Sequence, residues 1–233
     1  MSLKKLREDL SYSCNILARE GHWDNVLGHV SVRIPRQDRI LIKPHSFAFE
    51  EIRPKHAIVC NLAGIKVEGR YERHSEIYIH TEIYKVRPDV NCVVHTHPPY
   101  ATVFGSLRQP LRPISHEGSI FADGLPLFTY TTALIRSPDL GRKLAKALGN
   151  CRAALMKNHG VTVVGASIKE ATLYAVFLEK AARIQLLATA SGKPSWSSDK
   201  EAKLKFEQIY TPHRLDSMWN YFVRRAKKDR KGG

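Results

Sequence analysis

Two histidines separated by one residue close a short apolar run in this chain of 233 residues. The run NCVVH at 91–95 has the composition of a buried strand, and His95-Thr96-His97 follows from its last residue. Side chains at positions i and i+2 of a strand project to the same face, so both imidazoles can reach one ion. The motif therefore predicts part of a divalent-metal site.

A third imidazole and a carboxylate stand in other segments. His159 lies in AALMKNHGVTVVG, where two apolar runs predict a tight turn between strands. Three imidazoles would leave one coordination position open for a substrate. Glu76 stands at the start of a predicted helix. The alternative is that these histidines are surface or hydrogen-bonded groups, but their placement at element ends favours a site.

The elements that must position these groups follow from the spacing of apolar residues. Helices are predicted at 3–20, 75–86, from Pro98-Pro99, 138–148 with Ser137 or Asp139 as cap, 167–190, and 201–223 with an interruption at Thr211-Pro212. Strands are predicted at HVSVRI, RILIKP, AIVCNL, GIKVEG, NCVVH, near LPLFTY, and on both sides of His159, with a hairpin turn at Ala63-Gly64.

These elements predict one α/β domain with a central, mostly antiparallel sheet flanked by helices. The predicted core covers residues 5–190, followed by a helical extension at 199–225 and a basic tail at 224–233. Four separated cysteines indicate buried thiols, not a disulfide framework or zinc ribbon. The charged N-terminus and the lack of an apolar stretch of membrane-spanning length predict a cytoplasmic protein.

The net charge of +15 is compatible with a nucleic-acid partner, a small anionic substrate, or solubility alone. Much of the excess lies in the tail VRRAKKDRKGG, and the remainder has acidic neighbours on helices. Basic residues interleaved with exposed aromatics, as single-strand binders use, are not evident. The sequence therefore favours a small anionic substrate, and it lacks the glycine-rich loops of nucleotide sites.

Four segments together resemble a known family: GHVSVR at 28–33, IKPHSF at 42–47, HSEIYIHTEIYKVRPDVNCVVHTHP at 74–98 and MKNHGVTVVG at 156–165. They are similar to the class II aldolase and adducin head group over residues 5–190. The resemblance implies that His95, His97 and His159 bind the metal, and that Glu76 is the acid/base group that also touches it. It implies tetramers with sites between subunits, where residues near His116 and the C-terminal helix serve a neighbour.

Adducin heads share the fold but lack the metal set, so the complete set here favours an enzyme. The metal is left open between manganese, zinc and cobalt, because three imidazoles do not select one of them. A scaffold domain that binds an acidic partner through the basic tail is the non-enzymatic alternative.

This chain departs from the sugar-phosphate members where those members hold phosphate. They typically read Gly-Asn, Pro-Ser-Gly or Pro-Thr-Gly, and Ser-Ser-Glu; here the same places read Gly28-His29, Pro44-His45-Ser46 and His74-Ser75-Glu76. Bulky imidazoles remove the room of a phosphate nest and supply flat donors suited to a carboxylate. The predicted substrate contacts are His29, Lys43, His45, Ser46, Arg73, His74, Ser75 and His116. Solvated surface charge is the alternative for Lys43 and Arg73.

The altered loops resemble the branch that decarboxylates hydroxylated aromatic or pyridine dicarboxylic acids. The leading hypothesis is a metal-dependent carbon–carbon lyase of that kind, with Glu76 as proton relay and the metal as Lewis acid. The alternative is a class II aldolase, epimerase or dehydratase acting on a sugar phosphate. His80, one turn after Glu76, could orient that carboxylate or pack under the sheet.

Overall fold

The computed structural model describes residues 2–107 and 109–229. Its helices are α1 (Leu3–Arg19), α2 (Ile77–Val86), α3 (Pro99–Ser106), α4 (Pro138–Leu148), α5 (Ile168–Ser191), α6 (Asp199–Ile209) and α7 (Pro212–Asp229). The strands are β1 (His29–Arg33), β2 (Arg39–Ile42), β3 (Ile58–Asn61), β4 (Lys66–Glu68), β5 (Cys92–Thr96), β6 (Leu127–Phe128), β7 (Ala153–Met156) and β8 (Gly160–Gly165). Short 3-10 segments lie at Phe49–Glu51, Pro54–His56 and Glu117–Phe121.

Serine side chains begin several of the helices. Ser137 accepts from the Leu140 N–H, which settles the predicted choice of cap for α4 in its favour. Ser167 caps α5 in the same way, and Ser198 forms a capping box with Glu201 at α6. These caps satisfy N–H groups that have no partner inside the first turn.

All eight strands form one sheet in the order β4-β3-β2-β1-β5-β8-β7-β6. Every neighbouring pair is antiparallel except β6 with β7, so the predicted mostly antiparallel sheet is confirmed. Helices α2 and α4 pack on one face, where their apolar residues join those of alternate strand positions. Helices α1, α5 and α7 pack on the other face. The strands β1, β5 and β8 thus lie at the centre of a three-layer domain.

The predicted last helix is too short. Helix α7 continues to Asp229 where the sequence predicted an end near Val223, so the first part of the expected basic tail is helical. Ala226 is buried in the core, and Arg225 bonds Glu20 at the end of α1, which anchors the extra turns. The remainder of the tail, 230–233, lies outside the described residues.

Two further predictions concern cysteines and membranes. All four cysteines are free thiols, with Cys14, Cys60 and Cys92 buried and Cys151 partly exposed. Within the described ranges, none of the helices combines the length and apolarity needed to cross a bilayer.

Candidate metal centre

The three predicted ligand histidines meet at the middle of the sheet. His95 lies in β5, His97 follows two residues later on the same face, and His159 lies in the turn between β7 and β8. Because β5 and β8 are antiparallel neighbours, the start of β8 lies beside the end of β5. One ligand nitrogen from each ring lies within 4.8 Å of the others.

Local backbone features bring His159 to this position. Asn158 adopts a left-handed conformation with φ of 52°, which turns the chain tightly before β8. At Gly160 a Cβ atom would lie 2.4 Å from the Thr96 carbonyl oxygen and 2.5 Å from His97 Cδ2. Only glycine allows the turn to approach the end of β5 so closely.

Two of the rings are oriented through their Nδ1 atoms. His95 Nδ1 donates to the Val161 carbonyl at 3.0 Å, and His97 Nδ1 is hydrogen-bonded to Asp24 Oδ2. Each contact leaves Nε2 as the nitrogen with a free lone pair, which is how metal-binding histidines are normally held. Asp24 was not anticipated from the sequence; an acidic residue in the short loop before Gly28 was its only signal.

The donor atoms fit a divalent cation. His95 Nε2 and both ring nitrogens of His159 are buried without a hydrogen-bond partner among the described residues. Burial lowers the pKa of His95 well below its ordinary value and that of His159 to about 4, so both rings are neutral at pH 7. Buried polar atoms are normally paired, and neutral imidazoles are the form that binds metal.

Glu76 faces these rings from the N-terminal end of α2. Its Oε1 accepts the Ile135 N–H at 2.7 Å and lies 3.7 Å from His159 Nε2. Its Oε2 lies 3.8 Å from His95 Nε2. Burial raises the pKa of Glu76, although the Ile135 N–H opposes this shift. A carboxyl group of this kind can hold a proton closer to neutral pH than a solvated one.

Two further predicted contacts, His29 and His74, are buried beside this group. A ring nitrogen of His29 lies within 4.8 Å of ligand atoms of Glu76 and His95. The His74 ring centroid is 4.5 Å from that of His29. Burial lowers the pKa of His74 to about 2, so this ring is neutral too.

Lys43 is fully buried, and the alternative that it is a solvated charge is wrong. Its Nζ contacts the Val26 and Pro44 carbonyl oxygens at 3.1 and 3.2 Å and His74 Nε2 at 3.3 Å. Burial lowers its pKa to about 8. Arg73 is half-buried, donates to the His74 carbonyl at 2.9 Å and lies over the Tyr78 ring.

The other predicted contacts are exposed. His45 and Ser46 form one rim, with 2.6 Å between His45 Nδ1 and Ser46 Oγ, and Ser75 immediately precedes Glu76. Ser46 has a φ of 66°, a conformation that favours glycine. His116 stands at the start of the 3-10 segment Glu117–Phe121, which packs against α5 and α6. Ile120 and Phe121 of this segment pack in the core on the α5 side of the sheet, whereas α2, which Glu76 precedes, packs on the other side.

Two histidines acquire structural partners that the sequence left open. His22 is buried, and its Nδ1 lies 2.9 Å from Thr96 Oγ1, on the opposite face of β5 from His95. His80 is buried under the sheet, where it contacts His29 and Ser31 and not Glu76. Of its two predicted roles, packing under the sheet is therefore the one observed.

Comparison with known proteins supplies the family. The model of the class II aldolase and adducin N-terminal domain matches residues 8–186. Decarboxylase NovR of Streptomyces niveus is 32% identical over 80% of this chain and 70% of its own length. The 3,4-dihydroxyphthalate decarboxylase of Arthrobacter keyseri is 30% identical over 80% of this chain and 79% of its own length.

A solved structure agrees with the fold. The L-fuculose 1-phosphate aldolase of Glaciozyma antarctica PI12 superposes with a TM-score of 0.87 and 25% identity, covering 98% of this chain and 91% of that chain. Relatives of this chain thus include both decarboxylases and sugar-phosphate aldolases, which are lyases. The chain belongs to the class II aldolase and adducin N-terminal domain family, as an enzyme of that superfamily with a candidate histidine and glutamate metal site.

Proposed function

We propose that this protein is a divalent-metal-dependent lyase that removes carbon dioxide from a hydroxylated aromatic or heteroaromatic carboxylic acid. His95, His97 and His159 would hold the metal, with Glu76 beside it. A bound divalent cation would supply Lewis-acid polarisation of the substrate's phenolic and carboxylate oxygens. Manganese, zinc and cobalt all suit a site of imidazole and carboxylate donors.

The observation that carries this proposal is the wall of buried imidazoles where sugar-phosphate members hold phosphate. His29 and His74 are buried there, and Lys43 directs its ammonium group at main-chain carbonyls. A phosphate dianion needs several converging hydrogen-bond donors, and most of the donors present here already bond other groups of the protein. A flat carboxylate needs fewer, and the exposed His45 ring, whose centroid lies 5.2 Å from that of His74, adds a flat surface on which an aromatic ring can pack.

Glu76 is the group that handles the proton. When carbon dioxide leaves, the ring carbon that carried it must take up a proton. Burial raises the pKa of Glu76, which favours a carboxyl group that can carry a proton and deliver it. The Ile135 N–H fixes one of its oxygens and leaves the other toward His95.

The second candidate is an aldolase, epimerase or dehydratase acting on a sugar phosphate. It is favoured by the similarity to L-fuculose 1-phosphate aldolase over almost the whole chain. It is also favoured by Ser46, which keeps the left-handed backbone that glycine adopts easily, so the loop can still present its N–H groups.

A release assay separates the two candidates. Purified protein loaded with manganese, cobalt or zinc is given hydroxylated phthalates, hydroxylated pyridine dicarboxylates and ketose 1-phosphates, and carbon dioxide and aldehyde are measured. We expect carbon dioxide from at least one acid, and a loss of about 100-fold or more in Glu76→Gln with metal retained. Cleavage of a ketose phosphate without turnover of any acid would refute the decarboxylase proposal.

We also propose that the site is completed in a homotetramer. Trp23 and Leu27 are 70% and 54% exposed in the loop that carries Asp24, so apolar surface lies directly beside the site. The exposed His116 would then serve a neighbouring subunit. Light scattering on the active protein is expected to give four chains, and a fully active monomer would contradict this.

A further inference from the structure

A buried chain of hydrogen bonds leads away from the site behind His29. His29 Nδ1 lies 2.6 Å from His80 Nε2, His80 Nδ1 lies 2.7 Å from Ser31 Oγ, and Ser31 Oγ lies 2.9 Å from the Tyr84 hydroxyl. All four side chains are at most 2% exposed. Water therefore does not compete for these contacts, and each proton in the chain has a defined place.

The chain of hydrogen bonds arises because side chains on one face of α2 and one face of β1 are spaced by similar distances. His80 and Tyr84 are four residues apart on α2, which corresponds to about 6 Å along the helix. His29 and Ser31 are two residues apart on β1, which corresponds to about 6.7 Å along the strand. The two spacings nearly match, so the side chains of α2 and β1 lie opposite each other along the chain of hydrogen bonds. Glu76 lies on the same face of α2, one helical turn before His80.

The direction of the hydrogen bonds follows from the Tyr84 end. Among the described residues, its buried hydroxyl has Ser31 Oγ as its hydrogen-bonding oxygen, at 2.9 Å. A buried O–H group that faces a single hydrogen-bonding oxygen is satisfied only when it donates to that oxygen. Tyr84 therefore donates to Ser31.

The other hydrogen bonds between Ser31, His80 and His29 then have one possible set of donors and acceptors. Ser31 donates to His80 Nδ1, His80 Nε2–H donates to His29 Nδ1, and the proton of His29 stays on Nε2. The reverse arrangement would leave the buried Tyr84 O–H without an acceptor, which is costly in a protein interior. His29 Nε2 itself is buried and has no partner in the described part of the chain.

We propose that Tyr84, Ser31 and His80 are positioning residues that hold His29 as a hydrogen-bond donor toward a carboxylate oxygen of the substrate. The donor role rests on the proposed function; the proton positions do not. This proton position also distinguishes two overlapping sets of possible metal ligands. One set is His95, His97 and His159; the other is His29, Glu76 and His95, whose ligand atoms are equally close together. An Nε2 that carries a proton has no lone pair for a metal, so His29 is not a ligand.

The chain of hydrogen bonds fixes the position of the proton on His29 and does not supply a proton to the reaction. Burial raises the pKa of the Tyr84 phenol well above its ordinary value, so this end cannot release a proton at neutral pH. Delivery of a proton to the product therefore stays with Glu76.

Nitrogen-15 NMR of histidine-labelled, zinc-loaded protein at pH 7.5 tests the proton positions, and magic-angle spinning suits a large assembly. His29→Asn and His80→Asn assign the signals by their loss. We expect His29 with a bare Nδ1 and a protonated, zinc-free Nε2. A proton on His29 Nδ1, or zinc on its Nε2, would overturn the proposal.

A pair of matched variants on α2 tests the chain of hydrogen bonds from Tyr84 to His29. Tyr84→Phe removes the donor that sets the direction, so both tautomers of His29 should become populated. Thr81→Val is the control, because the Thr81 hydroxyl is buried on the same helix without a partner in the described residues. This variant should keep a single tautomer. A single tautomer in Tyr84→Phe would show that Tyr84 does not order the chain.

Binding of phthalate, measured by calorimetry, tests the role of the donor. His29→Asn should keep bound zinc and bind phthalate about 10-fold more weakly, as expected for a lost hydrogen bond to a charged group. Loss of zinc in this variant would make His29 a ligand and overturn the proposal. If NMR gives the expected tautomer but no acid releases carbon dioxide, the decarboxylase proposal fails while the proton positions stand.

Discussion

At the scale of single residues, the imidazoles of this protein differ in what their second nitrogen contacts. His95 donates to a carbonyl oxygen, His97 bonds a carboxylate, and His29 bonds another imidazole. Each contact fixes which nitrogen faces the site and whether it bears a proton. The presence of an imidazole ring therefore does not show whether a histidine binds the metal or contacts the substrate, whereas the partner of its second nitrogen does.

The carboxylate behind His97 should strengthen metal binding. Asp24→Asn removes the negative charge next to Nδ1, so we expect metal affinity to fall by about 10- to 100-fold. Competition with a fluorescent chelator measures this change. Asp38→Asn, at an exposed position in the β1–β2 turn, is the control with the same change of charge. Equal affinity in the two variants would show that Asp24 does not act through His97.

At the scale of elements, the site depends on three strand ends and one helix start. Antiparallel pairing sets His29 opposite His95 in register, and the β7–β8 turn brings His159 beside them. Helix α2 then presents Glu76 from the face that packs on the sheet. A shift of one residue in any of these pairings would move a ring to the opposite face.

Close packing of α4 on α2 should be needed to hold that helix. At Gly141 a Cβ atom would lie 2.5 Å from the Tyr78 carbonyl and 2.7 Å from Glu82 Cγ, so Gly141→Ala should lower the free energy of unfolding by about 1–3 kcal/mol. Urea denaturation measures this. Gly105→Ala is the control, because its nearest atom would be 3.5 Å away. Unchanged stability in Gly141→Ala would contradict the close approach.

Much of this arrangement could be predicted from the sequence, because period-two and period-3.6 patterns place His95, His97 and Glu76 at element ends. The strand order and the His29–His80 contact could not, since they depend on long-range pairing. Asp24 was missed for the same reason: its partner His97 is distant in the chain. Burial of Lys43 was also not evident, because a lysine in a loop is usually solvated.

At the scale of the whole molecule, burial of neutral histidines links stability to pH. The pKa values of His22 and His80 are lowered to about 3 and that of His74 to about 2, in each case chiefly by burial. The unfolded chain binds protons at these positions below its own histidine pKa of about 6.5, and the folded chain does not. Stability is therefore present above that value and is lost as pH falls below it.

The metal-free protein should therefore lose stability from pH 6.5 to pH 5. Each buried imidazole contributes a slope of up to about 1.4 kcal/mol per pH unit. Glu76 and Glu179 act in the opposite direction, because burial raises their pKa values, but the buried histidines are more numerous. Urea denaturation with chelator present measures the slope without metal release. Constant stability over this range would contradict the assignment of neutral buried rings.

We infer that three histidines, at the end of β5 and in the β7–β8 turn, hold one divalent metal ion. Metal content of the purified protein by plasma mass spectrometry, with folding checked by circular dichroism, tests it most directly. We expect about one ion per chain in the unmodified protein and in Glu76→Gln, and almost none in folded His95→Ala, His97→Ala or His159→Ala. Full metal content in any folded histidine variant, or none in the unmodified protein after incubation with manganese, zinc or cobalt, would contradict the account.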